Sequence, residues 1–111
     1  MAHRKGEFPT ATYRATLERG ICAECLCPYV PEDRWEVHHK IYLDFGIQAG
    51  IPLIILQSIV NSELLHKSCH QHIHNFYAVP PQMVIDEVLR QYDSLIRKDN
   101  FLRRPRQARL F

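Results

Sequence analysis

The alternation of hydrophobic and polar residues predicts two short strands and several helices along this chain. Residues 35–40, WEVHHK, alternate apolar and polar side chains, which is typical of a half-buried strand. Residues 62–67, SELLHK, predict a second short strand or a turn. Residues 10–19, TATYRATLER, predict a short helix with Thr10 as its N-cap.

The C-terminal part of the pattern is mostly helical. Residues 68–77 carry cysteine and histidine side chains at helical spacing. Residues 82–98 predict an amphipathic helix. Residues 44–60 are compatible with either a strand or a buried helix. Their β-branched content favours a strand, whereas their length also allows a helix. The tail, residues 99–111, is expected to be extended. The predicted apolar stripe of the helix comprises Val84, Val88, Leu89, Tyr92, Leu95 and Ile96.

Length and composition indicate a single globular domain. The chain has 111 residues, of which 46% are hydrophobic and 23% charged, and a net charge of +2 that favours no particular partner. The longest apolar run, residues 51–60, is too short to span a bilayer, and the N-terminus lacks the apolar segment of a signal peptide. A cytoplasmic setting is therefore expected, where paired cysteines indicate metal binding or redox chemistry rather than disulfides.

Two pairs of residues have the spacing of zinc ligands. Cys22 and Cys25 flank two residues, as do His66 and Cys69, and together they supply the four ligands of a closed tetrahedral site. Such a site would stabilise a domain of this size. Alternatives are that the first pair consists of small buried side chains or a redox pair, and Cys27 could replace Cys25 as a ligand.

The histidines are strongly clustered, since six of the seven lie between His38 and His74. His70 and His74 are four residues apart, so on a helix they share one face and could grip one metal ion. His72 would lie on a different face and is interpreted as an ordinary surface residue. An isolated pair of this kind is usually a solvated helix face, but the neighbouring motifs favour a ligand role.

Taken together, CAEC, EVHHK and NSELLHKSCHQHIH resemble the HNH endonuclease family, which has a ββα-metal (His-Me finger) motif. The resemblance extends from Cys22 to about Asn75 and is greatest to the zinc-knuckle members of phage, mobile-element, intron-encoded and defence proteins. Its most specific part is the step of nine residues from Asn61 to His70 and of four more to His74.

The resemblance implies an α+β fold, in which a small zinc-stabilised ββα-metal core has flanking N-terminal and C-terminal helices. Residues 1–111 would form one domain, with the core at about 20–78, a helix at about 81–98 and the basic tail at 99–111. The loop that usually follows the histidine pair is replaced by the long segment 40–60, which suggests an inserted helix. His66 stands where many relatives have a zinc-binding cysteine.

The resemblance also implies a metal-dependent endonuclease that hydrolyses DNA by nicking or double-strand cleavage and leaves 5′-phosphate and 3′-hydroxyl ends. His38, His70 and His74 would bind the catalytic ion, which is Mg²⁺ or another divalent ion such as Mn²⁺, Ni²⁺ or Zn²⁺. His39 would be the general base that activates water. Asn61 would hold the loop between the strands and orient His39 through a backbone contact, or it would be a metal ligand, as in some branches of the family.

Contact with nucleic acid is expected through phosphate neutralisation by basic side chains. RNA stays open as a substrate, and a homodimer or a larger assembly is possible. The alternatives to a free-standing nuclease are a catalytically silent zinc module that binds nucleic acid or a partner, and a nuclease subunit active only within a larger complex. A bacterial or phage-infected cell is the expected setting. The candidate phosphate-binding residues are Lys40, Lys67, Arg103, Arg104 and Arg106, with Arg14 and Arg19 as further candidates.

Overall fold

The computed structural model describes residues 8–102, with side chains described as far as Asp99. It has a mixed helical and two-stranded architecture, which confirms the α+β class expected from the sequence. The elements in chain order are α1 Thr10–Leu17, β1 Trp35–His39, α2 Leu43–Gln48, α3 Leu53–Leu56, a 3₁₀ turn Ile59–Asn61, β2 Ser62–His66, α4 Lys67–Phe76 and α5 Gln82–Leu102.

Strands β1 and β2 pair antiparallel, and helices α1 and α4 pack on opposite faces of the pair. The register places His38 opposite Glu63 and His39 opposite Ser62. Because successive strand side chains point to opposite faces, the two adjacent histidines separate. His38 faces α4, and His39 faces the side where Thr16 of α1 bonds to Ser62.

The main hydrophobic core lies beside the sheet, where the inserted segment meets α5. Ile41, Leu56, Ile85 and Val88 are buried there. Gly46 permits a close approach between α2 and α3, because a Cβ at that position would lie 2.4 Å from Leu56 Cδ2. The insertion is therefore a packed part of the domain.

Residues 44–60 form short helices rather than a strand, which decides between the two alternatives left open by the sequence. Gly50 adopts a φ of 82° after α2, and Pro52 is the N-cap of α3. A positive φ favours glycine, and a proline at this point separates two short helices instead of allowing one long helix.

Two predictions about element ends are wrong. Pro9, not Thr10, is the N-cap of α1, since the Pro9 carbonyl accepts the Tyr13 N–H at 2.9 Å and Thr10 is already helical. The tail is not extended at its start, because α5 continues to Leu102.

Only the first part of α5 is well buried, and Leu95 and Ile96 remain about 40% exposed. Within residues 8–102, no helix is both long and apolar enough to cross a membrane.

Candidate functional site

The first candidate site is a cluster of three thiols and one imidazole. Ligand atoms of Cys22, Cys25, His66 and Cys69 all lie within 4.8 Å of one another. Tetrahedral ligands about 2.3 Å from a zinc ion are themselves roughly 3.7 Å apart, so the cluster has the dimensions of a zinc site. Cys27 lies outside this set.

Secondary structure holds each member of this cluster in place. The turn that carries Cys22 and Cys25 is tied to β2 by a bond from Ala23 N to Leu64 O, 2.8 Å long. His66 ends β2, and its Nδ1 lies 3.2 Å from Cys25 Sγ. Its Nε2 lies 2.9 Å from the Pro28 carbonyl. Since the carbonyl can only accept, Nε2 carries the proton and Nδ1 has its lone pair directed at the thiols.

The protonation of the thiols also fits a cation site. Burial raises the pKa of Cys22, but hydrogen bonds from neighbouring backbone N–H groups together outweigh it and lower the pKa to about 7. Burial and the adjacent thiols raise the pKa of Cys69 to about 12. Thiolates this close repel one another, so a cation among them is what allows all of them to ionise. The Cys/His cluster could therefore bind zinc.

The second candidate site is a group of three histidines between β1 and α4. Ligand atoms of His38, His70 and His74 lie within 4.8 Å of one another. His70 Nε2 and His74 Nε2 are 3.0 Å apart, as expected for residues one turn apart on α4. His72 is exposed on another face of this helix, as predicted.

Two carboxylates orient two of these three imidazoles, those of His70 and His38. Glu36 Oε1 lies 2.6 Å from His70 Nδ1, and Glu63 Oε1 lies 3.4 Å from His38 Nδ1. A carboxylate on Nδ1 keeps the proton there and leaves Nε2 as the basic nitrogen, which is the arrangement found around metal-binding histidines.

One buried nitrogen of this group lacks a partner that a cation could supply. His38 is 5% exposed, and its Nε2 is a buried nitrogen with no hydrogen-bond partner among the described residues. A buried polar atom without a partner costs about 1–3 kcal/mol. A metal ion bound to His38 Nε2 would remove that cost. Burial and the neighbouring His38 and His70 lower the pKa of His74, which favours the neutral form that binds a metal.

We expect the Glu36→Gln substitution to weaken divalent-ion binding at the three-histidine cluster. The amide no longer carries the charge that holds the His70 proton on Nδ1, so affinity should fall about 10- to 100-fold. Calorimetric titration of Ni²⁺ into the zinc-loaded protein measures this change. Glu18→Gln, on the exposed end of α1, is the matched control. An unchanged affinity in Glu36→Gln would contradict the orienting role of this carboxylate.

His39 is separate from both clusters. Its ring stacks on Phe8, with centroids 3.8 Å apart and planes inclined by 11°, and its Nε2 lies 2.6 Å from Gln57 Oε1. Burial lowers the pKa of His39 below 6.5, the bond to Gln57 opposes this, and nearby His38 lowers it further. The imidazole is therefore neutral at pH 7, which is the form that can accept a proton.

Asn61 is fully buried and connects the segments on either side of the insertion. Its Oδ1 accepts from Ile41 N at 2.7 Å, and its Nδ2 donates to Leu56 O at 2.9 Å and to Ile41 O at 3.2 Å. Its backbone carbonyl accepts from Lys40 N at 2.8 Å. The backbone contact thus reaches the residue after His39, whereas the His39 ring bonds to Gln57.

The structure places the candidate phosphate-binding lysines and arginines in different environments. Lys40 lies in a groove beside His38 and Glu63, and Lys67 is exposed at the start of α4. Arg19 is engaged within the fold, since it donates to Ser62 O at 2.8 Å and Ile59 O at 3.2 Å. Arg103, Arg104 and Arg106 lie outside the described residues.

The two-stranded sheet and helix α4 share a three-histidine cluster and lie beside a Cys/His cluster of zinc-site dimensions. This arrangement defines a ββα-metal domain. Residues 22–76 match the family model of the HNH endonucleases. This segment is therefore an HNH endonuclease domain, which confirms the resemblance seen in the sequence. The presence of this domain indicates a function of the nuclease or nucleic-acid-binding type. Comparison with curated proteins and with solved structures gave no match.

Four residues of the candidate site were not identified from the sequence. Glu36 lies two residues before His38 on β1, so strand alternation alone could have placed it on the same face. Glu63 could be found only with the register of the two strands. Phe8 and Gln57 reach His39 through tertiary packing and have no local sequence signal.

Proposed function

We propose that this protein is a metal-dependent HNH endonuclease that hydrolyses phosphodiester bonds in DNA. The observation that carries the proposal is the three-histidine cluster, in which His38 Nε2 has no hydrogen-bond partner among the described residues, within a segment that matches this family. A zinc-binding module without catalytic activity would need only the Cys/His cluster. It would have no use for a second set of imidazoles, two of which are oriented by carboxylates.

In this proposal His39 takes a proton from the attacking water molecule. Its neutral imidazole is suited to that task. His39 is the last residue of β1, so the strand holds its backbone in place. Since β1 ends at His39, the general base and the three-histidine cluster lie at the same end of the sheet. Asn61 contributes by fixing residues 40–41 and hence the end of the strand.

The three-histidine cluster would hold the divalent ion through His38, His70 and His74. When bound, this ion would supply Lewis-acid stabilisation of the scissile phosphate and of the leaving oxygen. Three imidazole donors suit borderline ions such as Ni²⁺ and Zn²⁺ better than Mn²⁺ or Mg²⁺, which prefer oxygen ligands. Lys40, in the groove beside His38, and the exposed Lys67 would contact the phosphate backbone.

The test is nicking of a supercoiled plasmid by the zinc-loaded protein with added Ni²⁺, Mn²⁺ or Mg²⁺, and with a chelator. We expect relaxed plasmid with the added ions, more with Ni²⁺ than with Mn²⁺ or Mg²⁺, and none with the chelator. A folded, zinc-loaded protein that leaves the plasmid supercoiled with every ion would contradict a free-standing nuclease. That outcome would favour the silent binding module or the assembly-dependent subunit, which a pull-down would separate.

A further inference from the structure

Gln57 controls one of the two nitrogens of the His39 ring. The 2.6 Å contact joins His39 Nε2 to the side-chain carbonyl oxygen of Gln57, and a carbonyl oxygen can only accept a hydrogen bond. Nε2 must therefore be the nitrogen that carries the proton. A neutral imidazole has one N–H group, so its other nitrogen, Nδ1, is left with the lone pair.

Phe8 and Gln57 restrict the ring in complementary ways. The stacked contact with Phe8, which is 2% exposed, fixes the plane of the imidazole. The hydrogen bond to Gln57 fixes the rotation of the ring within that plane. Among residues 8–102, the hydrogen bonding of the ring involves Nε2 alone, which leaves Nδ1 for a proton from outside.

Gln57 is itself held by the inserted segment. It is the C-cap of α3, its N–H donates to Leu53 O at 2.9 Å, and its carbonyl accepts from Thr12 Oγ1 of α1 at 3.4 Å. The preceding residue, Leu56, is fully buried in the core. The insertion between β1 and β2 therefore holds the Gln57 backbone in place and positions its side-chain amide beside the His39 imidazole.

We propose that Gln57 is a positioning residue for His39, which keeps the proton on Nε2 and leaves Nδ1 to accept the proton of the attacking water. The inference rests on the proposed function of His39 as a general base. This inference assigns a role to the insertion between β1 and β2, because the Gln57 amide that orients His39 comes from that segment. Gln57 does not contact the substrate in this scheme.

The experiment compares Gln57→Met, Gln57→Glu and the control Gln48→Met in the zinc-loaded full-length chain. Methionine keeps the length and volume of glutamine but offers no oxygen, whereas glutamate keeps an accepting oxygen at the same distance. Gln48 is exposed at the end of α2 in the same insertion. Two-bond ¹H–¹⁵N correlation spectra report which nitrogen of His39 is protonated, and plasmid nicking gives kcat and KM.

We expect the wild-type protein, Gln57→Glu and Gln48→Met to show His39 protonated on Nε2, and Gln57→Met to show a mixture of both forms. In Gln57→Met, kcat should fall about 10- to 100-fold, as part of what a general base contributes. KM should stay within about twofold, because ground-state binding is not affected. Gln57→Glu should retain most of the wild-type kcat, since it restores the acceptor.

The two ways in which this scheme can fail are distinguishable. If Gln57→Met keeps the wild-type protonation of His39, or keeps the wild-type kcat, Gln57 only fills space and the inference is wrong while the nuclease proposal stands. If the wild-type protein does not nick DNA, the proposed function fails. The spectra then still decide whether Gln57 orients His39.

Discussion

Replacing His39 with alanine should abolish plasmid nicking and leave the protein folded and zinc-loaded. A positioned general base contributes about 10²–10⁴-fold to a rate, so its removal should reduce nicking below detection. The substitution removes the stacking on Phe8 and the bond to Gln57, which should cost roughly 1–3 kcal/mol of stability. The Cys/His cluster lies elsewhere, at the other end of the strands and on α4, so zinc content should not change.

A histidine on the protein surface provides the matched control for this experiment. His72 is exposed on α4 and belongs to neither cluster, so His72→Ala should nick at the wild-type rate. His39→Gln, which fills more of the space beside Phe8, should be as inactive as His39→Ala but more stable. Equal activity of wild-type protein and His39→Ala would refute the role assigned to His39.

Replacing Cys22 or Cys69 with serine should unfold the domain. Structural zinc contributes apparent binding energies of about 10–16 kcal/mol in small zinc-binding domains, as much as the total stability of an ordinary domain. Cys22 is fully buried, and Cys69 lies in the first turn of α4, so both thiols connect the knuckle to the ββα core. Circular dichroism during heating, together with measured zinc content, should show a lost thermal transition and loss of zinc.

The chain contains its own control for the cysteine variants. Cys27 is exposed and stands two residues from Cys25, yet it does not belong to the four-ligand cluster. Cys27→Ser should therefore retain zinc and melt at the wild-type temperature, whereas a chelator should lower the melting temperature of both proteins. A zinc-free Cys22→Ser that melts at the wild-type temperature would show that the cluster does not stabilise the fold.

Local spacing predicted the Cys/His pairs and the His70–His74 pair before the fold was known, whereas His38 was added to the second cluster by the resemblance to the HNH family. The two-residue gap between Cys22 and Cys25 and the four-residue gap between His70 and His74 are geometric properties of a knuckle and of a helix. They hold in any fold in which those elements form. The pairing of Cys22 and Cys25 with His66 and Cys69 was predicted from chemistry, and the structure brings all four together.

The inserted segment could not be predicted in the same way. Apolar residues dominate at 51–60, and such a run suits a strand or a buried helix until its packing partners are known. Packing against Ile85 and Val88 of α5, together with the close approach at Gly46, selects two short helices. The N-cap of α1 was misplaced for a related reason, since threonine is a favoured cap residue but Pro9 already supplies the first accepting carbonyl.

The sequence by itself determined the ligand types, their spacing along each element and the alternation that sends His38 and His39 to opposite faces of β1. These properties depend on residues near one another in the chain, so they can be read without a fold. Only the tertiary structure decided which groups surround each histidine. Glu63 reaches His38 through strand register, while Gln57 and Phe8 reach His39 because the insertion and the segment before α1 pack on one face of the sheet. Such contacts join residues far apart in the chain, and their chemistry follows from packing that no local pattern encodes.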